Sequence, residues 1–270
     1  MYKILLTLLL TSSIFAKDAW VIINGSPENP FWSTYVNGIK SACKHHDISC
    51  KIQFTPTGQH IEHAKILHKA MNSSPLGIVI NVPDAKQVAA LLRQADSYGY
   101  PVILSVSGSD YFRKLKLSNY VGPNLNRLRS MIRESLSGDD LKHVMISSYS
   151  ISDNDHLTFT NSLIDATQNA QLIHPQDIKD KLLANQTKPL TLITFGDSSA
   201  KQTYELLKAH PEWHVKWIQI DGPTSTKALT HRQINTQPFV QGYRTIMSMI
   251  KADQDDKSTT QEVLVKPKAI

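Results

Sequence analysis

The chain has 270 residues, 41% hydrophobic and 19% charged, with 29 basic and 23 acidic side chains giving a formal charge of +6. That balance excludes a disordered or collagen-like chain and supplies enough apolar material for a sizeable core. The basic residues are scattered, with no Lys/Arg block and no aromatic-basic interleaving, which argues against nucleic-acid binding.

Lys3 opens the chain with a positive charge, Ile4 to Leu10 form an apolar run, and the next stretch ends on the small residue Ala16. This is the pattern of a secretory signal over residues 1–16, an uncleaved anchor being the alternative. The run is too short to span a hydrocarbon layer of about 30 Å. No cysteine follows Ala16, so a lipid anchor there is not expected. Cleavage leaves an exported chain of about 250 residues from Lys17, a length that favours two domains.

Beyond the signal, short apolar runs alternate with helical patterns. Trp20–Asn24 reads as a strand, Gly25-Ser26-Pro27 as a turn, and a helix follows with Asn29 as its cap and Pro30 at its first position. Cys50–Phe54 is a second strand, then comes a helix with Ile61, Ala64, Leu67 and Met71 on one face. Leu76–Asn81 is a third strand, and Asp84 is placed to cap a helix carrying Val88, Leu91, Leu92 and Ala95. Pro101–Leu104 and Asn119–Gly122 read as strands four and five. A second unit of the same style follows: a helix near Leu125–Leu136, strands at His143–Ser147 and Ala170–Ile173, and between them a helix near Thr158–Thr167. Leu190–Phe195 is a strand, Ser199–Ala209 a helix, Val215–Ile220 a strand, Gln237–Ile250 a helix and Glu262–Val265 a closing strand. Alternation of this kind predicts parallel sheets covered on both faces.

The two cysteines, Cys43 and Cys50, sit on the inner stripe of the first helix and on the same strand parity as Ile52 and Phe54. Both can face one helix–sheet layer, and an exported chain tolerates a disulfide. A bridge and a pair of reduced core thiols both remain open, because spacing alone does not fix the Cα separation.

Six local patterns in this order resemble the periplasmic binding proteins of the ribose- and galactose-binding class. They are Asn29-Pro30-Phe31-Trp32 with Gly38, then Gly77 to Asp84, then Ala95 with Gly99 to Ile103, then Tyr120 to Asn124, then Ile220-Asp221-Gly222, and finally Gln237 to Tyr243. Together they cover nearly all of the chain after the signal. The resemblance implies an α/β fold of two Rossmann-like lobes with parallel sheets, three crossovers and an inter-lobe cleft, the type I periplasmic binding architecture. The implied lobes are 17–122 with about 238–258, and 123–237 with about 259–270. It also implies a periplasmic, monomeric protein that binds a small polar, sugar-like solute, performs no catalysis and needs no cofactor. The partner would be the membrane permease of an ABC transporter or, alternatively, a histidine kinase or chemoreceptor.

In that family the positions of Phe31 and Trp32 stack on the apolar faces of a sugar ring, and flat rings suit such surfaces. Either ring could instead only pack the helix onto the sheet. Asn29 offers amide groups to a ligand or serves only as a cap. Asp221, at a strand end before Gly222, can accept two hydroxyl hydrogen bonds or simply shape a turn. Gln237 and Asp197 match family ligand positions, with a hinge hydrogen bond and a helix cap as their respective alternatives. Three departures stand out. Val106 and Ser107 occupy the place of an Asp-Arg hydroxyl clamp, leaving Ser107 as the candidate there. Phe159 stands near an expected Arg, and Gly196 replaces an Asn beside Asp197. A less hydroxylated ligand, or a signalling role, is consistent with those losses.

Other chemistry is weakly supported. His60, His63 and His68 do not converge as zinc ligands should, and His60 and His63 fall off the apolar stripe, so they are expected to face water. Ser105, Ser107 and Ser109 have no identifiable base. No nucleophile elbow, P-loop or metalloprotease motif occurs.

Overall fold

The computed structural model describes residues 17–56, 60–81, 88–117, 119–147, 170–185, 188–254 and 261–270. The expected signal, Asp84 with its cap, and the helix expected over Thr158–Thr167 with Phe159 lie outside these residues.

The first sheet contains β1 (Ala19–Asn24), β2 (Cys50–Thr55), β3 (Gly77–Asn81), β4 (Val102–Ser105), β5 (Asn119–Pro123) and β11 (Gln261–Val265), in the order β11-β5-β4-β3-β1-β2. All its pairings are parallel. The second contains β6 (Val144–Ser147), β7 (Ala170–Ile173), β8 (Leu190–Phe195), β9 (Val215–Ile220), β10 (Arg232–Asn235) and β12 (Lys268–Ala269), in the order β12-β10-β9-β8-β6-β7. It is parallel except for the short antiparallel edge strand β12. Every residue of β1, β3 and β4 is buried, as two covered faces demand of parallel strands.

Helices supply the cover. On the first sheet, α2 (His60–Met71), α3 (Ala89–Ser97) and α4 (Ser109–Leu115) close one face around Ile22, Ile78, Leu92 and Phe112. α1 (Pro30–His45) and the long helix Pro238–Gln254 close the other around Val21, Tyr35, Ile39, Ile103 and Ile246. On the second sheet, α5 (Leu125–Glu134) covers one face, and α6 (Ile178–Ala184) with α7 (Gly196–Ala209) covers the other. The Pro238–Gln254 helix is α8. It meets α1 along its length, and the approach is set by two glycines. A Cβ on Gly38 would collide with the carbonyl of Phe239, and one on Gly242 with the carbonyl of Tyr35.

Three crossovers join the sheets: after β5, between β10 and α8, and between β11 and β12. The tail corrects one expectation. The resemblance implies that about 259–270 belong to the second lobe, but Gln261–Val265 extend the first sheet beside β5, and only Lys268–Ala269 reach the second. Five parallel backbone partners on β5 favour that placement, and the chain turns over only at Lys266-Pro267.

Cys43 and Cys50 are joined by a disulfide, with Cα atoms 6.3 Å apart. Both pack in the layer between α1 and the first sheet, as their parities suggested. His63 corrects a second expectation. It is fully buried, its Nε2 lying 2.8 Å from the hydroxyl of Thr55, while Ile61 is 74% exposed. The buried face of α2 runs through His63, Leu67, Ala70 and Met71.

Candidate functional site

The carboxyl ends of the parallel strands open on one edge of each sheet, where α/β folds of this kind bind ligands. In the first sheet, β1, β3 and β4 end together on Asn24, Asn81 and Ser105. In the second, Phe195 pairs with Ile220, so Asp197 and Asp221 leave neighbouring strands at a common edge. α1 and α7 begin at these edges and touch each other between the two sheets.

The start of α1 supplies an aromatic wall. Asn29 has an extended backbone, and its Oδ1 accepts the N–H of Phe31 at 2.9 Å, with Pro30 filling the first turn. Its Nδ2 donors have no protein partner among the described residues. Phe31 and Trp32 meet edge to face at 4.9 Å, and Trp32 meets Tyr35 edge to face at 5.6 Å. Both Phe31 and Trp32 stay half-buried. The indole lies against Gly25, where a Cβ would stand 2.7 Å from Trp32 Cδ1. The glycine after β1 therefore seats the ring.

Polar groups follow β3 and β4. Ser107 is 2% exposed. Asn81 Nδ2 donates to Ser107 Oγ at 2.7 Å and to the Ser105 carbonyl at 3.1 Å. Between those serines, Val106 has φ +69, and Ser107 N–H closes a three-residue turn onto the Ser105 carbonyl at 2.8 Å. A β-branched residue in that conformation is strained, and such strain concentrates at functional sites. Asn81 was visible as the end of the Gly77–Asn81 run, but not its hold on Ser107.

The second-lobe candidates are placed differently. Asp197 lies in the first turn of α7 and pairs with Lys201 one turn on, at 2.6 Å, its own side chain 14% exposed. Asp221 has φ +52, and its carboxylate accepts Thr236 N–H at 2.7 Å and Thr236 O–H at 2.6 Å. Gln237 has φ +62, and its Nε2 donates to the carbonyl of Lys266. The structure therefore gathers Asn29, Phe31, Trp32 and Ser107 on the first sheet's edge. It engages Asp221 and Gln237 with the crossovers, the structural roles that the sequence left as alternatives.

Sequence reasoning missed a buried hydroxyl cluster beneath this edge. Tyr35 O–H donates to Ser105 Oγ at 2.7 Å, and Ser105 Oγ lies 2.9 Å from Thr245 Oγ1. Burial pushes the Tyr35 phenol up to about 12, against the bonds to Ser105 and Thr245, so it remains a donor. Among the described residues no three His, Cys, Asp or Glu side chains converge to hold a metal, and no helix is long and apolar enough to cross a membrane.

No curated protein sequence matches the chain significantly. Solved structures match its fold over most of their length. A carbohydrate transporter from Acidothermus cellulolyticus 11B, in complex with myo-inositol, is similar at 18% identity, with 94% of this chain and 93% of that chain covered and a TM-score of 0.78. An ABC sugar transporter, a periplasmic sugar-binding protein from Legionella pneumophila, is similar at 14% identity, with 92% and 98% covered and a TM-score of 0.77. A chain of the XylFII-LytSN complex is similar at 17% identity, with 94% and 97% covered and a TM-score of 0.74. At these identities the likeness establishes the two-lobed α/β fold of type I periplasmic binding proteins. The model of the periplasmic binding protein domain matches residues 20–260. The chain belongs to the periplasmic binding protein domain family.

Proposed function

We propose that the protein is exported after cleavage near Ala16 and captures a small, polar, sugar-like solute between its lobes. It then presents the liganded form to the permease of an ABC transporter. The observation that carries this reading is the edge of the first sheet. There the Phe31–Trp32 pair begins the helix that follows β1, with the Asn29 amide at its cap, and the amide and hydroxyl groups of Asn81 and Ser107 follow β3 and β4 at the same edge. Apolar ring faces with a few fixed polar groups suit a ligand that is apolar on its faces and hydroxylated at its rim. The role is binding and release, not catalysis, and no cofactor enters it.

A second reading replaces the permease with a membrane sensor such as a histidine kinase or chemoreceptor. It is favoured by the Val106-Ser107 turn, which puts a strained backbone and one hydroxyl where an Asp-Arg clamp is expected. A structural relative solved as the XylFII-LytSN complex shows that the fold is found bound to another protein. In either reading the lobes comprise 17–123 with α8 and β11, and 124–235 with β12.

Thermal melting with a panel of free sugars and polyols, including myo-inositol and D-arabinose, tests the binding. A solute that binds only the folded state stabilises it by about 2.7 kcal/mol at one hundred times its dissociation constant. At least one compound should raise the melting temperature, and Trp32→Ala should reduce that rise. Chemical conversion of any compound, or no response across the panel, would count against the reading. Reconstitution with a permease or with a sensor then separates the two partners.

A further inference from the structure

A continuous chain of buried polar groups runs from the aromatic wall to the crossover between the lobes. Tyr35 O–H donates to Ser105 Oγ at 2.7 Å. Ser105 Oγ meets Thr245 Oγ1 at 2.9 Å, and Thr245 Oγ1 donates to the carbonyl of Gln241 at 2.8 Å. Gln241 Nε2 donates to both the carbonyl and the hydroxyl of Thr236, at 2.8 and 3.1 Å. Thr236 O–H and N–H end the chain on the carboxylate of Asp221. The donors order consistently: Tyr35 donates, and the hydroxyls of Ser105, Thr245 and Thr236 each receive one hydrogen and give one onward. Tyr35, Ser105, Gln241 and Thr245 are all fully buried, so none of them exchanges its partner for water.

The chain joins separate parts of the fold. Tyr35 belongs to α1, Ser105 to the end of β4, Thr245 and Gln241 to α8, and Asp221 to the end of β9 in the second sheet. Thr236 is the crossover itself. On either side of it, Asp221 and Gln237 hold left-handed backbone at φ +52 and +62. Non-glycine residues keep such conformations only where surrounding bonds over-determine them. The remaining crossovers are tied to the same point. Gln237 Nε2 donates to the Lys266 carbonyl, and Asn124 N–H donates to the Val265 carbonyl at 2.8 Å.

We propose that Tyr35, Ser105, Thr245, Gln241 and Thr236 are positioning residues that lock the angle between the lobes to the geometry of the cleft wall, with Asp221 as their anchor in the second lobe. Asp221 then governs solute capture through the hinge and not by touching solute. At the other end, Tyr35 packs edge to face on Trp32, and Ser105 shares the Asn81 donor with Ser107. A change in lobe angle is thereby felt at both cleft groups. The inference deepens the binding reading above and rests on the same cleft, but it is tested without any solute.

The test places spin labels at Lys69→Cys on α2 and Lys179→Cys on α6, both exposed positions, and reads the interlobe distance by pulsed electron resonance. The native cysteines are bridged and take no label. Thr236→Val, Thr245→Val and Asp221→Asn should each shift or broaden the distance distribution while the melting transition remains cooperative. Thr245→Ser, which keeps the hydroxyl, should restore the wild-type distribution, which a loss of packing alone would not do. Thr236→Val lies at the crossover and serves as the reading if the deeper Thr245→Val does not fold. Wild-type distributions in folded Thr236→Val and Asp221→Asn would overturn the proposal. So would an Asp221→Asn variant that keeps the wild-type distribution yet loses the thermal response to myo-inositol or D-arabinose, because Asp221 would then be a solute contact. A failed solute screen with altered distances leaves the hinge proposal standing and refutes only the choice of solutes.

Discussion

Reduction of the Cys43–Cys50 bridge is a perturbation whose magnitude follows from the loop it closes. Seven positions separate the cysteines, so eight residues lie in the ring. The chain-entropy relation gives about 8 cal/mol/K for a loop of that size, or about 2.5 kcal/mol at 25 °C. The folded state changes little on reduction, because Cys43 remains buried between α1 and the sheet. The reconnecting turn is also held independently, by Ile48 N–H on the Cys43 carbonyl at 2.9 Å and Ala19 N–H on the Ser49 carbonyl at 2.8 Å. The cost therefore falls on the unfolded chain. Urea unfolding of the oxidised and reduced wild-type protein compares the same atoms and isolates the bridge from packing. With a slope of about 2–3 kcal/mol/M, the midpoint should drop by about 1 M on reduction. Cys43→Ala with Cys50→Ala should drop further, since it also removes a buried sulfur. Superimposable curves for the oxidised and reduced forms would refute the reasoning. Two alkylatable thiols in the unreduced native protein would remove its premise.

Gly38→Ala should destabilise the fold by about 1–3 kcal/mol in the same assay, because the new methyl meets the backbone of α8 and not a movable side chain. Asp140 gives a pH signature. Burial alone would raise its carboxyl, but donation from Lys216 and from Ser137 lowers it from 3.8 to about 2. A depressed carboxylate contributes stability above the unfolded value and loses it as pH falls from about 4 toward 2. Lys216→Met should remove about 1 kcal/mol of stability at pH 7 after solvent screening and flatten the acid limb of the stability curve. Trp32→Ala should weaken solute binding by about 1–3 kcal/mol, measured by calorimetry on any compound that raises the wild-type melting temperature.

How far the fold was legible depended on burial from both sides. Ala170–Ile173, Leu190–Phe195 and Val215–Ile220 stand at the residues expected, because runs of apolar and β-branched residues between turn signals have few other interpretations. β10 is not legible because Arg232-Gln233-Ile234-Asn235 offers one apolar side chain, and its place in the sheet comes from pairing with β9 and β12. α4 and α6 have seven residues each, too few for a helical period to register. The inward face of α2 was misjudged for a chemical reason. A histidine off the apolar stripe reads as polar and outward, yet the hydroxyl of Thr55 satisfies the His63 imidazole within the layer. Once His63 is inside, the stripe through Leu67, Ala70 and Met71 turns Ile61 to the surface.

The candidate site shows the same division more sharply. Residues whose role depends on local geometry were legible: Asn29 caps, Pro30 starts the helix, and Phe31 and Trp32 follow, half-buried, in its first turn. Residues whose role depends on a partner far along the chain were not. Val106 stands just after strand four, and nothing local announces φ +69, because the conformation is held by Val121 O on its N–H and by Tyr120 O–H on its carbonyl. Asp221 reads as a free carboxylate at a strand end, until Thr236, fifteen residues on, brings an N–H and an O–H to it. A carboxylate that accepts both bonds from a residue of the crossover is held in register with the hinge. Moving it toward a solute would cost those bonds and leave the Thr236 N–H and O–H, whose oxygens already accept from the buried amide of Gln241, without their acceptor. That cost is what makes Asp221 better suited to carry the lobe angle than to grip what the lobes enclose.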